Sequence, residues 1–105
     1  MDENCHVEPL QKAATADEQR ITTWTLLAVY GMGCPNCANR VRNSLISLKG
    51  VVDAEVDHRI GTAEVVFNPN LTAISALIEA VARAGGDGRH IYRAQLLELE
   101  PRPSG

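Results

Sequence analysis

The chain has 105 residues, of which 22% are charged, and a formal net charge of −3. This length fits one domain with a modest core, and the acidic balance excludes the basic surface with which proteins bind nucleic acids. No apolar run approaches the roughly 20 residues of a membrane-spanning helix. The acidic N-terminus has no hydrophobic segment behind it, so it does not read as a secretory signal, and we expect a cytoplasmic protein.

Residues 1–20 are predicted to form an N-terminal tail that is flexible or packs on the sheet. Pro9 interrupts its few apolar residues, and a short helix is compatible with residues 10–20. Cys5 and His6 are adjacent, and both carry metal-ligating atoms. Two interpretations stay open: the pair belongs to an unstructured terminus, or Cys5 or His6 folds back as an additional metal ligand or bridges a homodimer.

The first strand is predicted at residues 25–30, which are β-branched, aromatic or apolar and end at Gly31. Cys34 and Cys37 follow at C-x-x-C spacing. Pro35 suits the first turn of a helix, because the N–H that it lacks would be unpaired there. Apolar residues then recur at helical spacing. We therefore expect Cys34 in an exposed loop and Cys37 in the first turn of a helix.

The Cys34–Cys37 pair suits thiolate chemistry. A helix N-terminus stabilises anions and so favours the thiolate form of a nearby cysteine. Two converging thiolates form a soft ligand set for Cu(I), Zn(II) or a similar thiophilic ion. A dithiol redox protein is the rival interpretation, because thioredoxin-like motifs also place C-x-x-C at a helix start. That fold would need a longer chain and a helix between the next two strands, whereas here a hairpin at residues 51–67 follows the motif helix.

The rest of the pattern completes a β-α-β-β-α-β order. Its elements are two alternating strands at residues 52–57 and 63–67, a helix with a buried stripe at residues 74–81, and a last strand at residues 90–99. Thr72 is expected to cap the second helix. This order predicts an α+β, ferredoxin-like fold, in which two helices cover one face of a four-stranded antiparallel sheet.

The domain is expected at residues 21–99, with a polar C-terminal tail at residues 100–105. The first strand is apolar on both faces, which is unusual in a sheet covered on one side. Its outer face is predicted to carry an exposed apolar patch that marks an interface, covered by the tail or by a second subunit. The patch residues are Trp24, Leu26, Tyr30 and Val66.

The stretch Gly-Met-Gly-Cys-Pro-Asn-Cys, from Gly31 to Cys37, resembles the G-M-x-C-x-x-C signature of the heavy-metal-associated (HMA) domain family. The resemblance covers residues 22–97. It implies the same ferredoxin-like fold and a non-enzymatic protein that handles metal, with Cys34 and Cys37 as ligands of Cu(I). Met32 is implied to pack beneath the loop rather than to bind the ion.

The resemblance also implies a partner: another C-x-x-C domain, such as that of a heavy-metal P-type ATPase. Binding of Hg(II), Zn(II) or Cd(II) is the alternative within the family. Arg40 and Arg42, on the motif helix, are either an exposed helix face or a positive surface that docks an acidic partner or tempers the charge of a bis-thiolate complex.

The chain departs from the family pattern close to the motif. Gly33 stands where threonine is common, so a hydroxyl is lost. Gly86 stands where many family members have a tyrosine or lysine beside the metal. His90, Tyr92 or the N-terminal tail is a candidate substitute for that missing group, and the identity of the metal therefore stays open.

Overall fold

A four-stranded antiparallel sheet with two helices on one face forms the domain. The structure, a computed structural model, describes residues 9–10, 12–85 and 91–99. Its elements in chain order are α1 (Ala16–Gln19), β1 (Thr23–Tyr30), α2 (Pro35–Ile46), β2 (Val51–Asp57), β3 (Thr62–Phe67), α3 (Ile74–Arg83) and β4 (Arg93–Leu99). None of the helices in this described part of the chain has the length and apolar character that crossing a membrane requires.

The strands lie in the order β2-β3-β1-β4, and every neighbouring pair is antiparallel. Apart from the short α1, the elements follow the predicted β-α-β-β-α-β order, and the ferredoxin-like fold is confirmed. Tyr30, at the end of β1, pairs with Arg93, at the start of β4. This pairing brings the segment that precedes β4 beside the C-x-x-C loop, residues 31–37.

Inward-facing side chains of the sheet and of the two long helices form one core. On α2 and α3 the buried residues recur at i and i+4, which is the spacing of one helix face. Each fully buried Val or Leu contributes about 1.5–3 kcal/mol through removal of its apolar surface from water. The fully buried set includes Leu27, Val41, Leu45, Val65, Leu77 and Val81.

The outer face of the sheet mixes apolar and acidic side chains. Trp24 of β1 pairs with Val66 of β3, and both are half-buried. Leu26 lies between two carboxylates, because it pairs with Glu64 of β3 on one side and with Glu98 of β4 on the other. The apolar patch predicted from the sequence is therefore interrupted by acidic residues.

The N-terminal segment, defined here as residues 9–10 and 12–20, docks where α2 turns into β2. Glu18 is only 3% exposed and accepts a hydrogen bond from the Gly50 N–H at 2.7 Å. Lys12 forms an ion pair with Glu18 at 3.1 Å and donates to the Val51 carbonyl oxygen at 2.6 Å. A buried carboxylate is tolerated here because charged and backbone donors surround it.

Further hydrogen bonds attach this segment to α2 and to the loop after β3. The Leu10 N–H donates to Asn43 Oδ1 at 2.8 Å, and Asn68 Nδ2 donates to the Asp17 carbonyl oxygen at 2.9 Å. The sequence left open a flexible tail or one that packs on the sheet, and a second subunit as the alternative cover of the outer face. The described residues of the segment make their contacts at the end of the domain where α2 meets β2.

Two boundary predictions are wrong. Ala73, and not Thr72, is the N-cap of α3, and it makes no side-chain cap. Thr72 is buried, and its hydroxyl donates instead to the Lys49 carbonyl oxygen in the α2–β2 turn, so a tertiary contact takes the place of the expected cap. The last strand begins at Arg93 rather than at residue 90; residues 86–90 lie outside the described part of the chain.

The hydrogen bonds around Glu18 predict a pH-dependent contribution to stability. The Gly50 N–H first, then the Thr15 N–H and Lys12, lower the pKa of Glu18 from 4.5 to about 2. Because the folded state favours the ionised carboxylate, the contribution is present above pH 4.5 and disappears as the pH falls towards 2. We expect Glu18→Gln to lower the urea midpoint at pH 7. The difference in midpoint between this variant and wild type should shrink as the pH is lowered below 4.5.

Chemical denaturation followed by the fluorescence of Trp24, the single tryptophan, measures both effects. Glu79→Gln is the matched control, because the Glu79 side chain is 74% exposed and its contact with Arg83 is 3.9 Å long; exposed pairs of this kind contribute little. A Glu18→Gln midpoint equal to that of wild type at pH 7 would contradict the role of this carboxylate.

Candidate metal centre

Gly31 allows the chain to leave β1 and enter the C-x-x-C loop. Its φ is +102°, a conformation that residues with a Cβ rarely adopt. A Cβ at this position would lie 2.2 Å from the Ile91 carbonyl oxygen and 3.3 Å from Tyr92 Cδ1. The first glycine of the motif is thus required by a close backbone approach. Gly33 has no such neighbour, since a Cβ there would meet nothing within 4 Å.

The two motif cysteines converge at the start of α2. Cys34 is the N-cap residue, Pro35 is the first helical residue, and Cys37 lies in the first turn. The Sγ atoms of Cys34 and Cys37 are 2.9 Å apart, and the Cys37 N–H donates to the Cys34 carbonyl oxygen at 3.0 Å. Cys37 is 5% exposed, whereas Cys34 is half-buried. One sulfur therefore faces the core and the other is more accessible from the surface.

The surroundings of the two thiols shift their pKa values in opposite directions. Burial raises the pKa of Cys37, but hydrogen bonds from the Cys34 side chain and from the Gly33 and Cys34 backbone, together with the nearby Tyr92 hydroxyl, outweigh it and lower this pKa to about 7. The pKa of Cys34 is raised, because its thiol is held as a hydrogen-bond donor to Cys37 and is partly desolvated. The pair is thus arranged so that Cys37 is the first to become a thiolate.

Of the candidate substitutes for the missing group beside the metal, Tyr92 is the one that the described residues place near Cys37. Its side chain is 2% exposed, and burial together with the contact to Cys37 raises the pKa of the phenol, so it remains a neutral donor. The signal that could have found Tyr92 is the alternation of side chains along a strand, applied to the register of β4 on β1. Arg93 pairs with Tyr30 on the sheet, and Tyr92, one residue earlier, points to the opposite face, where the motif helix starts.

The other candidates are distributed as follows. Cys5, His6, Gly86 and His90 lie outside the described residues. Within the part of the chain that is described, no cluster of three or more His, Cys, Asp or Glu residues is placed to hold a metal ion, so the cysteine pair has no third ligand of these types there. Met32 is half-buried and packs against the core.

The two arginines of α2 differ in their surroundings. Arg42 donates to the Leu10 carbonyl oxygen at 3.1 Å and so helps to hold the N-terminal segment. Arg40 is half-buried, and its positive charge acts on the Tyr92 phenol. Arg40 therefore lies within electrostatic range of Tyr92, the residue beside Cys37.

A family model described as the heavy-metal-associated domain matches residues 26–87 of this chain. The chain belongs to the heavy-metal-associated family. The matched region contains the whole C-x-x-C loop together with α2, β2, β3 and α3. The family resemblance predicted from the motif is confirmed.

Relatives of this HMA domain include copper and mercury proteins. The copper-exporting P-type ATPase of Bacillus subtilis is 39% identical over 57 residues, which are 54% of this chain and 7% of that protein. A mercuric reductase of Serratia marcescens is 36% identical over 77 residues, 73% of this chain and 15% of the enzyme. The chain therefore spans only a small part of these curated relatives.

A solved structure shares the fold over nearly its whole length. It is the solution structure of the N-terminal domain of a potential copper-translocating P-type ATPase from Bacillus subtilis in the Cu(I)-loaded state. The two structures align with a TM-score of 0.66 at 30% identity, over 81% of this chain and 99% of that one. The HMA domain described here thus resembles metal-binding modules of copper transporters.

The two motif glycines give a matched pair of variants. Gly31→Ala places a Cβ against the Ile91 carbonyl oxygen, a backbone atom that cannot rotate away, whereas Gly33→Ala fills open space. We expect Gly31→Ala to lower the free energy of unfolding by more than about 1 kcal/mol and Gly33→Ala to leave it nearly unchanged. Urea denaturation compares the two, and equal effects would refute the close-approach argument.

The Tyr92 hydroxyl predicts a measurable change in thiol acidity. Tyr92→Phe removes the hydroxyl that helps to lower the pKa of Cys37, so this pKa should be higher than in the parent protein that keeps Tyr92. The pH dependence of alkylation by iodoacetamide reports it, in a background in which Cys5 and Cys34 are replaced by serine so that a single thiol titrates.

Tyr30→Phe is the control for this comparison. Tyr30 is 49% exposed, and its hydroxyl lies 3.5 Å from Gln95 rather than at the thiols. The Cys37 pKa should be the same in Tyr30→Phe as in the parent. If Tyr92→Phe also left it unchanged, the contact between Tyr92 and Cys37 would not influence the site.

Proposed function

We propose that this domain binds Cu(I) as cargo through the thiolates of Cys34 and Cys37 and passes it to another C-x-x-C domain, such as that of a heavy-metal P-type ATPase. The observation that carries the proposal is the convergence of the two Sγ atoms, 2.9 Å apart at the N-terminus of α2. The copper-exporting relative and the Cu(I)-loaded structural neighbour support the choice of metal.

The acidity of the pair suits capture of a soft ion near neutral pH. Metal binding requires deprotonated sulfur, so binding and proton release are coupled. Cys37, with a pKa of about 7, supplies a thiolate readily, and the arriving cation then displaces the proton of Cys34. Cu(I) with two thiolates carries one net negative charge, which the positive end of α2 and the nearby Arg40 stabilise.

Transfer follows from low coordination and unequal exposure. Two thiolates leave a side of the ion open, and Cys34 is the more accessible of the pair. A thiolate of the partner attacks the ion from that side, one Cu–S bond forms and the bond to Cys34 breaks; a second exchange then releases Cys37. Copper remains Cu(I) throughout, and the freed thiolates take up protons from water.

This function is non-enzymatic, and we place it in the cytoplasm, where thiols stay reduced. Hg(II) is the second candidate cargo, because it is equally thiophilic and a mercuric reductase is among the relatives. Structural Zn(II) sites usually have four ligands, more than the Cys34–Cys37 pair supplies. Cd(II) is the remaining soft ion to be compared.

Competition for Cu(I) against a chromophoric chelator tests the proposal. The reduced protein should bind one ion per chain, and the Cys34→Ser/Cys37→Ser double variant should lose this binding to the background level. Met32→Leu is the matched control, because it removes a soft sulfur that packs on the core; it should bind Cu(I) like wild type. Parallel titrations with Hg(II), Zn(II) and Cd(II) rank the metals.

The outcomes are distinct. Weak binding of Cu(I) together with tight binding of Hg(II) would select the second candidate cargo. Binding that survives the double variant would refute the site. If no soft metal binds, the dithiol redox interpretation takes its place, and the protein should then cycle with an external reductant and keep its activity in the presence of a chelator.

A further inference from the structure

The two edges of the sheet carry different patterns of charge. β2 forms one edge and β4 the other. The charged side chains of β2 are Asp53, Glu55 and Asp57, which all have the same sign. Charged side chains on an edge strand block its pairing with other chains, and two copies of this acidic edge repel each other. β4 instead carries one charge of each sign, Arg93 at its start and Glu98 near its end.

β4 is an exposed edge strand that is rich in leucine. Within the described residues it pairs with β1 on one side and with no strand on the other, so the backbone N–H and C=O groups along that other side face no strand. Its three leucines are exposed: Leu96 to 41%, Leu97 to 53% and Leu99 to 46%. A sheet edge of this kind is a template to which a further strand can add.

The two charged side chains of β4 lie on the same face of the sheet. Arg93 pairs with Tyr30, and its guanidinium carbon lies 5.9 Å from the centroid of the Tyr30 ring. Glu98 pairs with Leu26 on this outer face. Residues five positions apart point to opposite faces of a regular strand, but here Leu97 is the extra residue of a bulge and restores the phase. Both charged side chains are exposed.

A groove follows the edge of β4 beside α3. Ala94 and Leu96 lie on the helix-covered face of the sheet, because they pair with Val29 and Leu27, which are buried. Ala94 borders the groove, which has a volume of about 390 Å³. The groove is lined by Tyr30, Ile78, Ala82, Arg93, Ala94 and Gln95. The same face of β4 therefore carries a groove at Ala94 and, two residues further on, an exposed leucine.

We propose that β4 pairs antiparallel with β4 of a second copy of this chain, across a two-fold axis at Gln95. In this register Leu96 of each subunit lies opposite Ala94 of the other and enters its groove. Arg93 lies opposite the bulge of the partner, which contains Glu98, so opposite charges meet at each end of the paired segment. A two-fold axis makes every contact twice, and the edge is thus complementary to itself in both shape and charge.

The two candidate metal centres stay apart in this dimer. Ile91, which lies against the C-x-x-C loop, precedes Gln95 by four residues. The two copies of Ile91 are then eight residues apart along the paired strands, or about 26 Å at 3.3 Å per residue. One ion cannot bridge the centres over that distance, so the dimer forms without metal. Each loop remains open to a partner domain, and the inference does not depend on the proposed function.

Exchange of charges across the two-fold axis tests the dimer. In sedimentation equilibrium of the metal-free protein, with a chelator and a thiol reductant present, wild type should reach twice the mass of the chain. Arg93→Glu and Glu98→Arg each place two pairs of like charges opposite each other, and each should weaken dimerisation about tenfold or more. The double variant Arg93→Glu/Glu98→Arg should recover it, and so should an equimolar mixture of the two single variants.

Leu96→Arg and Ile60→Arg are a matched pair of variants at exposed apolar residues. Leu96→Arg brings a charge to the groove of the partner and should give a monomer. Ile60 is 72% exposed and lies between β2 and β3, away from β4, so Ile60→Arg should dimerise like wild type. The Cys34→Ser/Cys37→Ser variant should also dimerise like wild type. Far-UV circular dichroism shows that each variant is folded.

Several outcomes would overturn the inference. A wild-type protein that is monomeric at every soluble concentration refutes the dimer. Dimerisation that persists in Leu96→Arg, or that Ile60→Arg abolishes, would mean that the copies meet at a different surface. A dimer that the Cys34→Ser/Cys37→Ser variant no longer forms would be joined at the thiols instead of at β4. None of these results alters the test of Cu(I) binding, which is measured on each chain separately.

Discussion

The close approach of Gly31 to Ile91 is the constraint on which the candidate metal centre depends. The positive φ of Gly31 ends β1 and brings the loop close to the segment before β4. A Cβ added at Gly31 would lie 2.2 Å from the Ile91 carbonyl oxygen. The same contact holds the segment before β4 against the loop, which brings the Tyr92 hydroxyl to Cys37. The geometry of the thiols is thus set by strand pairing, and rigid elements position a site better than a free loop does.

Unequal environments give the two cysteines different roles in this arrangement. Cys37 is buried and acidic, and Cys34 is more exposed and less acidic. In the proposed function, Cys37 therefore retains the ion and Cys34 releases it first.

Most of the fold followed from periodicity, and what was missed involved tertiary contacts. The alternation at residues 52–57 and 63–67 and the stripe at residues 74–81 identify their elements because burial imposes those periods. Thr72 was misassigned because its hydroxyl satisfies a carbonyl in another loop. The burial of Glu18 was not anticipated, since carboxylates are rarely buried without partners, and its partners are distant in sequence. The place of Tyr92 beside Cys37 could be found only once the register of β4 on β1 was known.

The rate of Cu(I) transfer to a second C-x-x-C domain tests the central claim most directly. The loaded protein is mixed with the metal-free N-terminal domain of a copper-exporting P-type ATPase in the presence of excess chromophoric chelator. Ligand exchange predicts a transfer rate that rises with the concentration of the acceptor domain and exceeds the rate at which the chelator removes copper. A rate that is independent of acceptor concentration and equal to loss to the chelator would mean that the ion passes through water, and would contradict the account.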